Sequence, residues 1–213
     1  MRQNPSFAMT DVTELRRVIA RNPWATIVSG GEEGLVASHY PVLLDPARDD
    51  LTVVGHVGKP DDRILGLGER ELMLVFQGPH GYVSPNWYGD VKAVPTWNYV
   101  AVHLSGVPEV LSTEENLKVL DDLVRHFESR LPKPRSMWEA PNDEAYISAL
   151  EFGTAGFRLT PTRVVAKRKL SQNRPDNVVE AVIAELEAGG EYGQPELAAE
   201  MRRAHQARVA ARG

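Results

Sequence analysis

FQGPHGYVSPNWY, residues 76–88, followed after five residues by VPTWNY, residues 94–99, decides how this chain is read. The stretch gathers aromatics, amides, a histidine and five Gly or Pro residues around the end of an apolar strand. Such a set is poor material for an ordinary core, because Gly and Pro forfeit packing area inside a strand and mark bulges or close backbone approach. Trp, Tyr, Asn and Gln together offer flat apolar faces with hydrogen-bonding edges, which a planar, polar-rimmed ligand needs. A rigid aromatic turn closing a barrel is the competing reading of the same residues.

The flanking sequence supplies the frame for that stretch. Asp11 opens a capping-box spacing, and Val12, Leu15, Val18 and Ile19 recur at helical intervals until Asn22–Pro23 stops the helix. WATIVS (24–29), a Gly-rich turn at 30–34, the return strand 35–44 and LTVVGHV (51–57) read as a meander of antiparallel strands. In the return strand Leu35, Ala37, His39, Pro41 and Leu43 share one face, while Val36, Ser38, Tyr40, Val42 and Leu44 share the other. Residues 58–70 turn helical and charged. LMLVFQ (72–77) is apolar throughout, which predicts a strand buried on both faces. Residues 96–110 form the longest strand candidate, with Asn98, Val100, Val102 and Leu104 on one face and Trp97 on the other.

A second capping box, Ser112 to Glu115, starts a helix whose apolar rhythm lasts to Pro132. A shorter helix from about Asn142 and two strands, 152–161 and 163–170, follow. The tail from Arg174 differs in character. Its Val178, Val179, Val182, Ile183 and Leu186 make a narrow apolar stripe, suited either to a partner or to the chain's own barrel, and an Ala- and Arg-rich helix begins near Pro195. Strands in meanders with helices at the ends predict a closed or split β-barrel, mainly β with peripheral helices. The expected division is a barrel domain over 1–173 and a helical tail over 174–213.

The totals exclude several classes. With 213 residues, 42% hydrophobic and 25% charged, the chain has the make-up of one soluble globular domain, with or without an appendage. No apolar run approaches the ~20 residues of a membrane helix. No secretory signal stands at the start, and there is no cysteine, so a cytoplasmic location is expected and thiolate chemistry is excluded. A net charge of −5 gives no general attraction to nucleic acid. The short basic run Lys167–Arg168–Lys169 suits a solvated edge strand, and Arg202, Arg203, Arg208 and Arg212 suit either nucleic acid or an exposed helix face. Gly66–Leu67–Gly68 lacks the third glycine of a dinucleotide fingerprint, and neither a metal-ligand His spacing nor a Gly-x-Ser-x-Gly elbow occurs.

FQGPHGYVSPNWY and VPTWNYVAVH (94–103) resemble the signature of the PaiB-type FMN-binding negative transcriptional regulators. GLVASHYPVLLD (34–45) and KLSQNR (169–174) resemble the same family, and the likeness covers about residues 4–174. The resemblance implies a split β-barrel of the FMN-binding type, working as a homodimer with cofactor sites between subunits. DNA contact is implied by resemblance only, since no helix-turn-helix or basic recognition helix is legible. Ser38, His39, His56, Lys59, Arg63, Gln77, Trp97, Asn98 and Gln172 are the expected cofactor-binding residues. Lys59 and Arg63 would meet the FMN phosphate, as basic residues after a strand-to-helix turn do. Here the sequence departs from the family wording, reading Gly58–Lys59–Pro60–Asp61–Asp62 where many members have Arg-Ala-Asn-Pro. Two carboxylates there oppose a phosphate unless they point away. Haem b is the alternative cofactor, with His56 as axial ligand, because haem-dependent piperazate synthases, which form an N–N bond on an N-hydroxylated amino acid, are similar to this family. A flavin-dependent sensory module and an FMN-dependent oxidoreductase are the other readings.

Overall fold

The computed structural model describes residues 1, 4–31, 34–89, 92–139 and 141–212. The turn expected at 30–34 includes Glu32 and Glu33, which lie outside the described residues. Two compact units are present. One holds Asp11–Phe76 with His103–Val164, the other Met1–Thr10, Gln77–Val102 and Val165–Gly213.

The strands are β1 (Trp24–Gly31), β2 (Gly34–Leu44), β3 (Val53–Gly58), β4 (Leu72–Val83), β5 (Thr96–Gly106), β6 (Glu109–Val110), β7 (Thr154–Leu159) and β8 (Arg163–Lys169). Their order is β6-β7-β3-β2-β1-β4-β5-β8. The helices are α1 (Val12–Arg21), α2 (Asp61–Leu65), α3 (Thr113–Glu128), α4 (Glu144–Gly153), α5 (Asp176–Glu187) and α6 (Pro195–Ala210).

In the unit built on β1, β2, β3 and β7 the meander is antiparallel, with Thr26 opposite His39, Val42 opposite Gly55 and His56 opposite Gly156. Asp11 caps its helix from one side, its Oδ1 accepting from the Glu14 N–H at 2.9 Å, while the Ser112 capping box is complete, Ser112 and Glu115 exchanging side-chain-to-backbone bonds at 3.3 and 3.1 Å. These satisfy amide groups that a helix start leaves without partners. Helix α3 lays Val119 and Leu123 on Leu111 and Val54. It comes close to β7 because Gly156 has no side chain; a Cβ there would stand 2.7 Å from Asn116 Oδ1 and 3.0 Å from its Cα.

Several sequence expectations need correction. The apolar segment 72–77 is not buried on both faces: Leu72, Leu74 and Phe76 are, while Met73 and Val75 are only half-buried and Gln77 is exposed. Met73 and Val75 stand opposite Val28 and Thr26 of β1, on a side of the sheet that is only half-buried. The strand also does not end at Gln77 but runs through Gly78–Pro79–His80 to Val83. The long strand expected over 96–110 breaks after Gly106, and the pair Glu109–Val110 bonds separately to β7. Pro108, which has no N–H to donate, sits at the break. Only Asp61–Leu65 of the segment 58–70 is helical, and Phe152 belongs to α4 rather than to the strand that follows. Gly66 ends α2 in the left-handed region (φ 65°, ψ 49°), which explains a glycine unrelated to dinucleotide binding.

The other unit takes up the tail. The apolar stripe of α5 is buried there, with Val182 and Leu186 at 0% exposure, and α5 packs on α6, whose Leu197 and Met201 are equally enclosed. The stripe is thus spent within the chain.

Candidate functional site

The turn joining β3 to α2 is where the two troublesome aspartates sit. Ser38 and Tyr40 project from the same side of β2, as alternation requires. Ser38 Oγ donates to Asp61 Oδ2 at 2.7 Å and Tyr40 Oη donates to the same oxygen at 2.9 Å. Tyr40 Oη in turn accepts from the Gly58 N–H at 3.0 Å, and the Lys59 N–H is held by the Gly153 carbonyl at 3.0 Å. Asp62 Oδ1 accepts from the Arg63 N–H at 2.9 Å. Both carboxylates are therefore engaged by neighbours on their own side of the turn. Lys59 and Arg63 are exposed, and among the described residues neither cationic group has a hydrogen-bond or ion-pair partner. Arg63 also borders a small cleft of about 240 Å³ with Asp62, Glu69, Gly66 and Val110. Burial raises the Tyr40 pKa; the Gly58 N–H opposes that shift, and the adjacent Asp61 adds to it.

The two expected histidines differ. His39 is exposed on the open side of β2 and stacks on Trp24, ring centroids 6.4 Å apart. His56 is half-buried on β3 with the edge of Tyr40 at 6.0 Å. Its Nδ1 is buried with no hydrogen-bond partner, and burial lowers the imidazole pKa from its usual 6.5. An iron-bound histidine donates its other ring N–H to an acceptor that fixes the ring; among the described residues His56 has none.

Gln77, Trp97, Asn98 and Gln172 fall in the other unit. Trp97 is 55% exposed, stacked against His80 at 6.5 Å and met edge-on by Tyr82 at 6.3 Å. Tyr82 continues the ladder to Tyr192 at 4.8 Å, a tail residue that nothing in the sequence marks except its place among glycines. Gln77 Nε2 lies 3.2 Å from His80 Nδ1. Asn98 and Gln172 are turned inward instead. Asn98 is fully buried and donates to Ser171 Oγ at 2.9 Å and Met201 Sδ at 3.4 Å. Gln172 accepts from the Leu170 N–H at 2.7 Å and donates to the carbonyls of Arg168 and Ser6. Lys169 Nζ binds the Trp97 carbonyl at 2.8 Å and the Thr96 hydroxyl. The motif 169–174 thus closes its own fold.

The residue set invites comparison with known proteins. A family model described as "Putative FMN-binding domain" matches residues 1–163. The chain belongs to this family. Protease synthase and sporulation protein PAI 2 of Bacillus subtilis is 31% identical over 183 residues, spanning 85% of this chain and 86% of that protein. An uncharacterised Aspergillus fumigatus protein is 29% identical over 86% of this chain and 89% of its own. Among solved structures, the FAD and haem binding protein of Mycobacterium smegmatis superposes with a TM-score of 0.57 at 19% identity, covering 87% of this chain and 81% of that one. The flavocytochrome Anf3 of Azotobacter vinelandii gives 0.59 at 15% identity over 79% and 72%. These structures show the fold, the split β-barrel with peripheral helices that the FMN-binding domain family was expected to have. Among the described residues no group of His, Cys, Asp and Glu is placed to hold a metal ion, and no helix is long and apolar enough to cross a membrane.

Proposed function

We propose that the protein is an FMN-binding member of this family, a homodimer of the PaiB type that works as a flavin-dependent redox or sensory module. The observation that carries the reading is the pair of cations at Lys59 and Arg63, without partners among the described residues, beside two carboxylates that are already engaged. A phosphate group fits such a turn. Against the acidic residues beside it, Asp61 is held by the hydroxyls of Ser38 and Tyr40 and Asp62 by the Arg63 N–H, which supports the reading. When bound, FMN supplies the redox chemistry, and the chain's residues hold and orient it. Haem b has weaker support, because the imidazole of His56 lacks an acceptor for its Nδ1.

Two further features bear on assembly and partners. The open side of the β1–β2–β4 sheet carries Trp24 at 63% and Leu35 at 83% exposure, with Thr26, Val28, Ala37, Met73 and Val75 on the same side. An uncovered apolar sheet face of this kind suits a second copy. The tail arginines do not favour DNA: Arg202 is paired with Glu187, Arg203 with Glu200, and Arg208 and Arg212 with Asp176.

The test is titration of the full-length protein with FMN and with riboflavin, which lacks the phosphate. Charge-assisted contacts of ~1.5–3 kcal/mol each imply that Lys59→Ala or Arg63→Ala weakens FMN about ten- to a hundredfold. Riboflavin affinity should not change. Light scattering on the same samples should give twice the 23.6 kDa of one chain. FMN affinity unmoved by both substitutions would remove the phosphate assignment, and a one-chain mass would remove the dimer.

A further inference from the structure

We propose that a cleft walled by α3, α4 and the His56 end of β3 binds a small uncharged hydrophobic carbonyl compound, whose oxygen accepts a hydrogen bond from the His56 imidazole. The cleft measures about 380 Å³, and its walls include Leu120, Val124 and Phe127 of α3, Leu150 of α4 and Met137. That volume falls in the lower part of the range for small-molecule sites of ~300–1,000 Å³, which are mostly apolar with a few placed polar groups. Among the described residues that line it, only His56 and Glu128 bring polar side chains.

The imidazole fixes the polar end of the ligand. Neither ring nitrogen has a hydrogen-bond partner among the described residues, and Nδ1 is buried while Nε2 is left accessible. In its uncharged form, the ordinary one near neutral pH, an imidazole carries one proton. A buried N–H without an acceptor is rarer and costlier than a buried lone pair without a donor. The proton therefore sits on Nε2, which makes His56 a donor toward the cleft and calls for an acceptor on the ligand. The same tautomer leaves Nε2 no lone pair for iron.

Glu128 narrows the class further. Its Oε2 accepts from the Arg135 N–H at 2.9 Å, which holds a carboxylate at the rim. A carboxylate ligand would meet that charge in apolar surroundings, and both effects oppose it. A ketone, ester, lactone or amide oxygen avoids both. No residue of this cleft belongs to the Lys59–Arg63 turn, so the inference stands whether or not FMN binds.

Acetophenone, ethylbenzene and benzoate share a ring and differ only in the group that meets His56. With full-length protein labelled with ¹⁵N-histidine, acetophenone should bind saturably and shift a protonated His56 Nε2 resonance. Ethylbenzene and benzoate should bind at least about tenfold more weakly, a preference of one hydrogen bond. Leu150→Trp, which fills the cleft, should abolish binding of all three, and His56→Phe should erase the acetophenone preference. Should His56→Phe fail to fold, the wild-type resonance and Leu150→Trp still decide. Equal affinity for acetophenone and ethylbenzene, an unprotonated Nε2, or no saturable binding would overturn the proposal. So would a haem Soret band that depends on His56.

Discussion

The Asp61 turn and the Asn98–Ser171 contact use similar residues to opposite ends. Around Asp61, two hydroxyls and a backbone amide engage the carboxylates, and Lys59 and Arg63 are exposed with no partner among the described residues. Around Asn98 the polar groups satisfy one another: Asn98 and Ser171 exchange bonds at 0% and 4% exposure, and Gln172 binds three backbone groups. Ser171 takes a left-handed φ of 60° to do so, a strain that only surrounding contacts sustain. Asn98, Ser171, Ser38 and Tyr40 all lie in family-like motifs, whereas the turn at 58–62 departs from the family wording. What separates a site from a brace is which polar groups remain unpaired.

The largest expected effect tests the brace. Asn98→Ala removes a fully buried amide and strands the Ser171 hydroxyl, so urea unfolding should show a loss of about 2–3 kcal/mol. Lys59→Ala, at an exposed cation without a partner, should change stability by less than about 0.5 kcal/mol. If Lys59→Ala costs as much as Asn98→Ala, the contrast between the two regions fails.

Much of the frame was legible because it is local. The caps at Asp11 and Ser112, the helix stop at Pro23 and the alternation of β2 and β5 are each decided within a few residues. The misses are of other kinds. β4 continues through Gly78 and Pro79 because the chain stays extended there, although both residues read as punctuation. The engagement of Asp61 is not legible locally, because the hydroxyls that donate to it lie 21 and 23 residues away. The inward turn of Asn98 and Gln172 is not legible locally, because an amide on its own says nothing of whether a serine 73 residues on, or a backbone carbonyl, has taken it.

A mid-sized effect sharpens the other half of the comparison. Tyr40 has its pKa raised, first by burial, against the Gly58 N–H and with help from Asp61. A folded pKa above the unfolded value of 10.0 means stability that is fully present below pH 10 and lost as pH rises through the folded pKa. Tyr40→Phe should cost about 1 kcal/mol near pH 7, since the Gly58 N–H and Asp61 each lose a partner. It should also remove Tyr40's share of the alkaline loss. If wild type and Tyr40→Phe lose stability in parallel above pH 10, the hydroxyl is not held as described.

The smallest effect concerns His56 and runs the other way in pH. Burial lowers its pKa below 6.5, so the unfolded chain binds this proton more readily than the folded one. Stability from such a group is present above pH 6.5 and is lost as pH falls toward the folded pKa. His103 and His126 are lowered too, in each case first by burial, so the acid slope of the wild type is shared among three rings. One proton contributes at most about 1.4 kcal/mol per pH unit. His56→Leu should therefore make the slope between pH 6.5 and 5 shallower by a fraction of that amount, without abolishing it. Urea midpoints at half-unit pH steps resolve the difference. An unchanged slope in His56→Leu would mean that the ring is hydrated rather than enclosed, and the unpaired Nδ1 would lose its meaning.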